Sequence, residues 1–379
     1  MSYESVDKLQ KALETEVFHY AKDSKKAAGR ALGTLVEIIT FYLLKTWELN
    51  DNISIEIRLP EYGNADITHN VEYSLHPILN KDKISIPKSI NTISSSYLFK
   101  ELQNVDFDFS KFNKTSNQLL TKTNILRNGC IIGNGINSNL LASFEDSTDD
   151  LHYIKIFEQH IKPFAIFECK RVGVEEGMKK GPQAIEKAKQ GAYVARAVSS
   201  LQKVRNEKGE LRGIIYKSDN SFRTDNFSKL LNEVINSNDR ELLRKFILTV
   251  GVVSNHGNWF TSLNPNKELK VLAQSYDWLI FLTDSGLSEF IETFIQKPNK
   301  KNQIIRDAFS DSYSADKKKN QFTKVQMNFH ADKILLDFFQ SNLKQIENWF
   351  NIISPDNSKI DILKEQLILL KNKPWNRIL

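Results

Sequence analysis

Two cysteines in 379 residues, Cys130 and Cys169, are too few for a disulfide framework or a zinc cluster. That scarcity points to a reducing compartment, and the expected location is the cytoplasm. No run approaches the roughly 18 consecutive apolar residues of a membrane helix, so no membrane association is expected. The first residues, Met1 to Asp7, lack the basic-then-apolar plan of a signal peptide. The 7 histidines show no metal-ligand spacing. No segment repeats, which excludes a solenoid or propeller.

What is present is an ordinary globular composition, 40% apolar and 26% charged. The length suits one large domain or two ordinary ones. The net charge is +6, and its placement says more than its size. Residues 168–217 hold 12 Lys/Arg against 6 Asp/Glu, a local surplus equal to that of the whole chain. Such a basic stretch favours a polyanionic partner.

The chain is organised around Pro163-Phe164-Ala165-Ile166-Phe167-Glu168-Cys169-Lys170-Arg171. A short apolar run bounded by proline reads as a buried strand. Alternation along a strand puts Glu168 and Lys170 on one face, about 6.5–7 Å apart along the backbone. A carboxylate and an ammonium at the end of a buried strand are costly unless paired or bound. One partner that suits both is a divalent metal beside a phosphate. The bland alternative is a surface ion pair, and Glu268-Leu269-Lys270 satisfies the same tripeptide with no strand before it.

Around this stretch, 5–22 and 24–47 read as amphipathic helices. In the second, Lys26, Arg30, Gly33 and Glu37 share a stripe. It is either solvated or turned toward the site, where Gly29 and Gly33 would admit another backbone. Residues 53–59 and 69–76 alternate as strands. Residues 80–147, rich in Asn, Ser, Thr and Lys, read as an insertion or long loops. Residues 150–157 and the Glu168 strand read as a hairpin. A helix follows Gly181-Pro182, with Gln183, Lys187 and Gln190 on one face. Strands at 246–254 and 278–283 alternate with helices near 227–245 and 286–296, which indicates a mixed α/β sheet flanked by helices. Residues 297–302 read as a linker to a helical C-terminal region, 297–379, after a catalytic domain of 1–296. The His256-Gly257-Asn258-Trp259 segment lacks supporting ligands, Lys317-Lys318-Lys319 reads as a solvated loop or a phosphate contact, and Cys169 as a small buried residue.

An acid-headed strand, a turn, a strand ending in Glu168-Cys169-Lys170, a basic loop and a Gln-bearing helix together resemble the PD-(D/E)xK nuclease superfamily. The segment from Gly181 to Tyr193 is similar to type II restriction endonucleases within it. The resemblance implies a restriction-endonuclease-like core and Mg²⁺-dependent cleavage of double-stranded DNA leaving 5′-phosphates. It also implies a homodimer and a cognate DNA methyltransferase as genetic partner. Glu168 and Lys170 take the Glu-x-Lys roles, Glu37 the helix acid and Gln190 a supporting role. Asp150 is the expected second metal ligand beside Glu168, with the Cys169 carbonyl assisting. No Pro-Asp dipeptide stands there, and Asp149 and Glu72 remain alternatives. The rival readings are a repair or mobile-element nuclease, an inactive DNA-binding protein, and an unrelated α/β protein. The insertion and the C-terminal helices are expected to contact DNA.

Overall fold

The computed structural model describes the chain except for residues 1–5, 20, 62–63, 105–107, 173–187, 197–198, 217–218, 220, 256–266 and 314–319. It is a mixed α/β fold built on a six-stranded sheet flanked by helices. The strand order is Ile53–Ile55, Tyr73–Leu75, Ala165–Val172, Leu248–Asn255, Trp278–Leu282, Phe350–Ser354. The first three run antiparallel, the next two are parallel to Ala165–Val172, and the last is antiparallel again. Leu248–Asn255 and Trp278–Leu282 are buried at every position. Such two-faced burial is what near-continuous apolar runs need. Alternation sorts the Glu168 strand between two faces. Ala165, Phe167 and Cys169 enter the main core, while Ile166 packs with Val194 and Ala195 of the helix Gln190–Arg196 on the other side.

The long helix Ser24–Leu44 lies across the first face. Asp23 caps it, accepting a hydrogen bond from the Lys26 amide at 3.0 Å. Together with its continuation to Asn52, it is long and apolar enough to pass for a membrane span by length and hydropathy, contrary to the reading of the sequence. Its apolar window is 67% buried inside the fold, because Leu32, Leu35, Ile39 and Tyr42 form the centre of the main core. The preceding helix ends at Glu16, earlier than the sequence suggests.

Two strands expected as continuous are broken, and at the same level. The first leaves the sheet at Glu56, whose φ of 52° lies in the left-handed region. The second is split between Asn64–Asn70 and Tyr73–Leu75. The Glu56 amide donates to the Glu72 carbonyl at 3.2 Å across the break.

The expected hairpin of 150–157 with the Glu168 strand does not form. Leu151–His160 belongs to a separate five-stranded sheet, paired antiparallel with Ile78–Pro87 and Ser138–Ser147. The Glu168 strand pairs instead with Tyr73–Leu75, Ala165 opposite Leu75. Everything from Ile78 to His160 is therefore an excursion between two strands that are neighbours in the sheet. It is not a set of loops. It has its own core of Ile84, Ile86, Leu98, Ile132, Leu140 and Ile154. The half-buried alternation of Leu151–His160 suits that sheet, whereas the Glu168 strand, buried on both faces through Cys169, suits the centre of the larger one.

The C-terminal part is not a detachable helical region. Its strand Phe350–Ser354 closes the edge of the main sheet, and Phe322, Met327, Leu335, Phe339, Leu363 and Leu367 belong to the main core. The Trp278 indole donates to Gln366 Oε1 at 2.9 Å, tying the helix Ile360–Lys371 to the sheet. A three-stranded sheet, Leu201–Arg205, Leu211–Tyr216 and Phe222–Asn226, was not foreseen.

Candidate active site

The antiparallel register sets Phe167 opposite Tyr73, and the bend just before Tyr73 carries Glu72 up to Glu168, the next residue of its strand. Contact follows. The Glu72 amide donates to Glu168 Oε2 at 3.3 Å. Lys170 curls back along its own face, with Nζ 2.7 Å from Glu168 Oε1 and 3.9 Å from Glu72 Oε2. The Glu168 side chain is only 2% exposed and that of Glu72 10%, while Lys170 keeps 35% and so stays open to solvent or substrate.

Burial raises the Glu168 carboxyl above the ordinary glutamate value, and the charge and hydrogen bond of Lys170 pull it back only in part. For Lys170, burial acts to lower the value. The Glu168 charge and hydrogen bond prevail, and the ammonium sits above its usual range. Lys170 is thus held charged, suited to offset developing negative charge and to orient a water, and not to act as a neutral base at pH 7.

Gly191 makes room for Glu168, and Gly251 makes room for the Tyr276 ring beside it. A Cβ on Gly191 would lie 2.9 Å from Glu168 Cβ and 3.2 Å from the Tyr276 hydroxyl. Gly251 stands opposite Glu168 on the next strand, and a Cβ there would lie 2.8 Å from Leu279 Cδ1 and 2.9 Å from the Tyr276 ring. Tyr276 fills the space so created and donates to the Ala188 carbonyl at 2.7 Å, fixing the start of the Gln190 helix. Gln190 therefore stands next to the glycine that packs on Glu168. By contrast, Gly29 and Gly33 do not serve close approach as the sequence suggested. A Cβ at Gly33 meets nothing within 4 Å, and one at Gly29 meets only side-chain atoms at ordinary distances.

The stripe on the long helix divides. Lys26 and Arg30 are exposed, whereas Glu37 turns inward. Its Oε2 lies 3.1 Å from Lys324 Nζ. Lys324 also pairs with Glu56 Oε1 at 2.9 Å and with Glu72 Oε1, and its side chain is 7% exposed. Glu37 thus reaches the site through Lys324. Neither Lys324 nor Glu56 was singled out from the sequence. Lys324 lies in Phe322-Thr323-Lys324-Val325, where no motif or period marks it, and only a long-range contact reveals it.

Asp150 and Asp149 are not part of this cluster. Both are exposed on the bend before Leu151–His160, where the Asp150 carbonyl accepts from the Lys88 amide. The expected pairing of Asp150 with Glu168 required the hairpin that the sheet topology excludes. Gln183, Lys187, the His256 segment and Lys317 to Lys319 lie outside the described residues. Of the basic stretch, Lys203 is committed to main-chain carbonyls. It is half-buried, donates to the Ala273 carbonyl at 3.2 Å, and desolvation lowers its ammonium to about 8. Cys169 is buried, as expected of a small strand residue, and burial pushes its thiol well up.

Glu72 and Glu168 offer hard carboxylate oxygens of the kind magnesium selects. Among the described residues no group of three or more His, Cys, Asp or Glu side chains is placed to hold a metal ion. Two carboxylates suffice for an ion that completes its shell with water and substrate phosphate. Compared with known protein families, curated proteins and solved structures, the chain matches none.

Proposed function

We propose that the chain is a Mg²⁺-dependent endonuclease of the PD-(D/E)xK superfamily, a type II restriction enzyme acting on double-stranded DNA, with Glu72 rather than Asp150 as the second acid. The observation that carries this reading is Glu72, at the entry to the strand beside Glu168, with its amide on Glu168 and Lys170 against both carboxylates. The element order supports it: a helix bearing Glu37, three antiparallel strands, a helix, then a strand parallel to the third. That order is compatible with the restriction-endonuclease-like core which the motif implies.

Glu72 and Glu168 would hold the metal, which when bound neutralises the phosphate and lowers the pKa of a water. Lys170 orients the attacking water and offsets charge on the phosphate. Water oxygen bonds to phosphorus, the 3′-oxygen leaves with a proton, and a 5′-phosphate remains. A homodimer and a cognate methyltransferase belong to the same proposal. Purified protein incubated with plasmid DNA and Mg²⁺ should give discrete bands on a gel. A smear would indicate a nonspecific nuclease, and intact plasmid an inactive DNA-binding protein. Glu72→Gln should be inactive and Asp150→Asn should cut at the wild-type rate. The reverse result would move the site away from the Glu72–Glu168 strand pair.

A further inference from the structure

Every oxygen of the two central carboxylates already has a partner. Glu168 Oε1 faces Lys170 and its Oε2 accepts from the Glu72 amide. Glu72 Oε2 faces Lys170, and its Oε1 is in contact with Lys324 Nζ. A divalent ion entering here meets two ammonium groups that already neutralise the acids. Lys170 lies on the strand with Glu168 and is held by it. Lys324 comes from a different part of the chain and is shared among three acids, Glu37, Glu56 and Glu72.

We propose that Lys324 is a tethered counter-ion docked on the outer oxygen of Glu72 in the free protein, so that Lys324 docking and metal binding oppose each other. This inference rests on the metal-dependent reading above. A divalent ion bound to the Glu72 carboxylate would stand about 4–5 Å from an ammonium still docked there, a separation at which like charges in a half-buried pocket oppose each other strongly.

The tether leads to the insertion as well as to the main core, where Phe322 and Met327 are buried. The Asn128 side chain donates to the Lys324 carbonyl at 3.1 Å, and the Asn128 amide to the Val325 carbonyl at 2.9 Å. The following strand, Gln326–Asn328, pairs antiparallel with Ile125–Arg127, and Phe329 enters the core of the insertion. Undocking Lys324 therefore removes a side-chain anchor that holds this short ladder against the acids. Any ligand that moves the insertion relative to the catalytic sheet also changes the metal affinity.

The test measures Mn²⁺ binding to the full chain without DNA, by titration calorimetry, in wild type and Lys324→Met, which keeps the side-chain length and removes the charge. Lys324→Met should bind Mn²⁺ at least about tenfold more tightly, since a competing charge is gone. Because this substitution leaves three acids without their shared cation, folding is checked by circular dichroism. A second measurement needs only wild type: hydrogen exchange across 323–328 should rise when Mn²⁺ is added. Equal or weaker binding by folded Lys324→Met overturns the proposal. So does exchange across 323–328 that is unchanged or slowed by metal, whether or not the variant folds. No binding by either protein overturns the metal reading as well, whereas equal, measurable binding by both removes only the role of Lys324.

Discussion

Adding one methyl group at Gly191 tests the packing that holds Glu168. In Gly191→Ala the new Cβ would meet Glu168 Cβ at 2.9 Å and the Tyr276 hydroxyl at 3.2 Å. Ordinary carbon contacts lie at about 3.5–4.0 Å, so the helix or Glu168 must move by roughly 0.6 Å or more. Relief through Tyr276 is limited, because that ring is wedged against Gly251 and its hydroxyl is bonded to the Ala188 carbonyl. Overpacking of this kind costs about 1–3 kcal/mol. Replacing glycine by alanine in a helix returns up to ~1 kcal/mol, less near its start. The clash wins, and the variant should be destabilised by roughly 1 kcal/mol. A carboxylate displaced by much of an ångström should also lose cleavage, by about 10–100-fold.

Gly33→Ala is the matched control. It also lies in a helix, but a Cβ there meets nothing within 4 Å. It should gain about 0.5–1 kcal/mol and leave cleavage unchanged. Urea unfolding with an unchanged slope gives the stabilities, and single-turnover plasmid cleavage gives the rates. If Gly191→Ala is as stable as Gly33→Ala and cuts at full rate, the helix does not press on Glu168 and the account of the site fails.

Two other outcomes follow from the same geometry. Lys170→Ala should reduce cleavage by at least about 10²-fold while retaining DNA binding in Ca²⁺, and substantial residual cutting would place the essential cation elsewhere. His76 is buried, with Nδ1 2.7 Å from the His160 carbonyl and Nε2 2.7 Å from Ser74 Oγ, and burial holds its pKa down to about 4. The unfolded chain takes up this proton near pH 6.5 and the folded one only near 4, so the stabilisation present above 6.5 is lost as pH falls, up to roughly 3 kcal/mol. His76→Gln should flatten the pH dependence of the urea midpoint between 6.5 and 4, and an unaltered profile would refute the burial argument.

The sequence by itself determined the mixed α/β class, because apolar runs at 164–167, 246–253 and 278–282 could be satisfied only inside a sheet covered by helices. It also determined that Glu168 and Lys170 share a face, since period-two alternation is local and needs no partner strand. Glu37 was legible as an acid on a largely apolar helix. The partner of the Glu168 strand was not legible. Residues 150–157 are nearest in sequence, but an 83-residue excursion from Ile78 to His160 separates the strands that pair, and proximity along the chain misled. Glu72 came up to Glu168 only when the register of Tyr73–Leu75 was fixed, because a one-residue slip reverses every side chain. Lys324 was least legible. It meets Glu37, Glu56 and Glu72 from more than 250 residues away, and only packing of the insertion against the catalytic sheet carries a lone lysine of an unremarkable loop into the acids. Local periodicity decides which residues share a face; the closing of distant segments decides which faces meet, and the chemistry of this site depends on both.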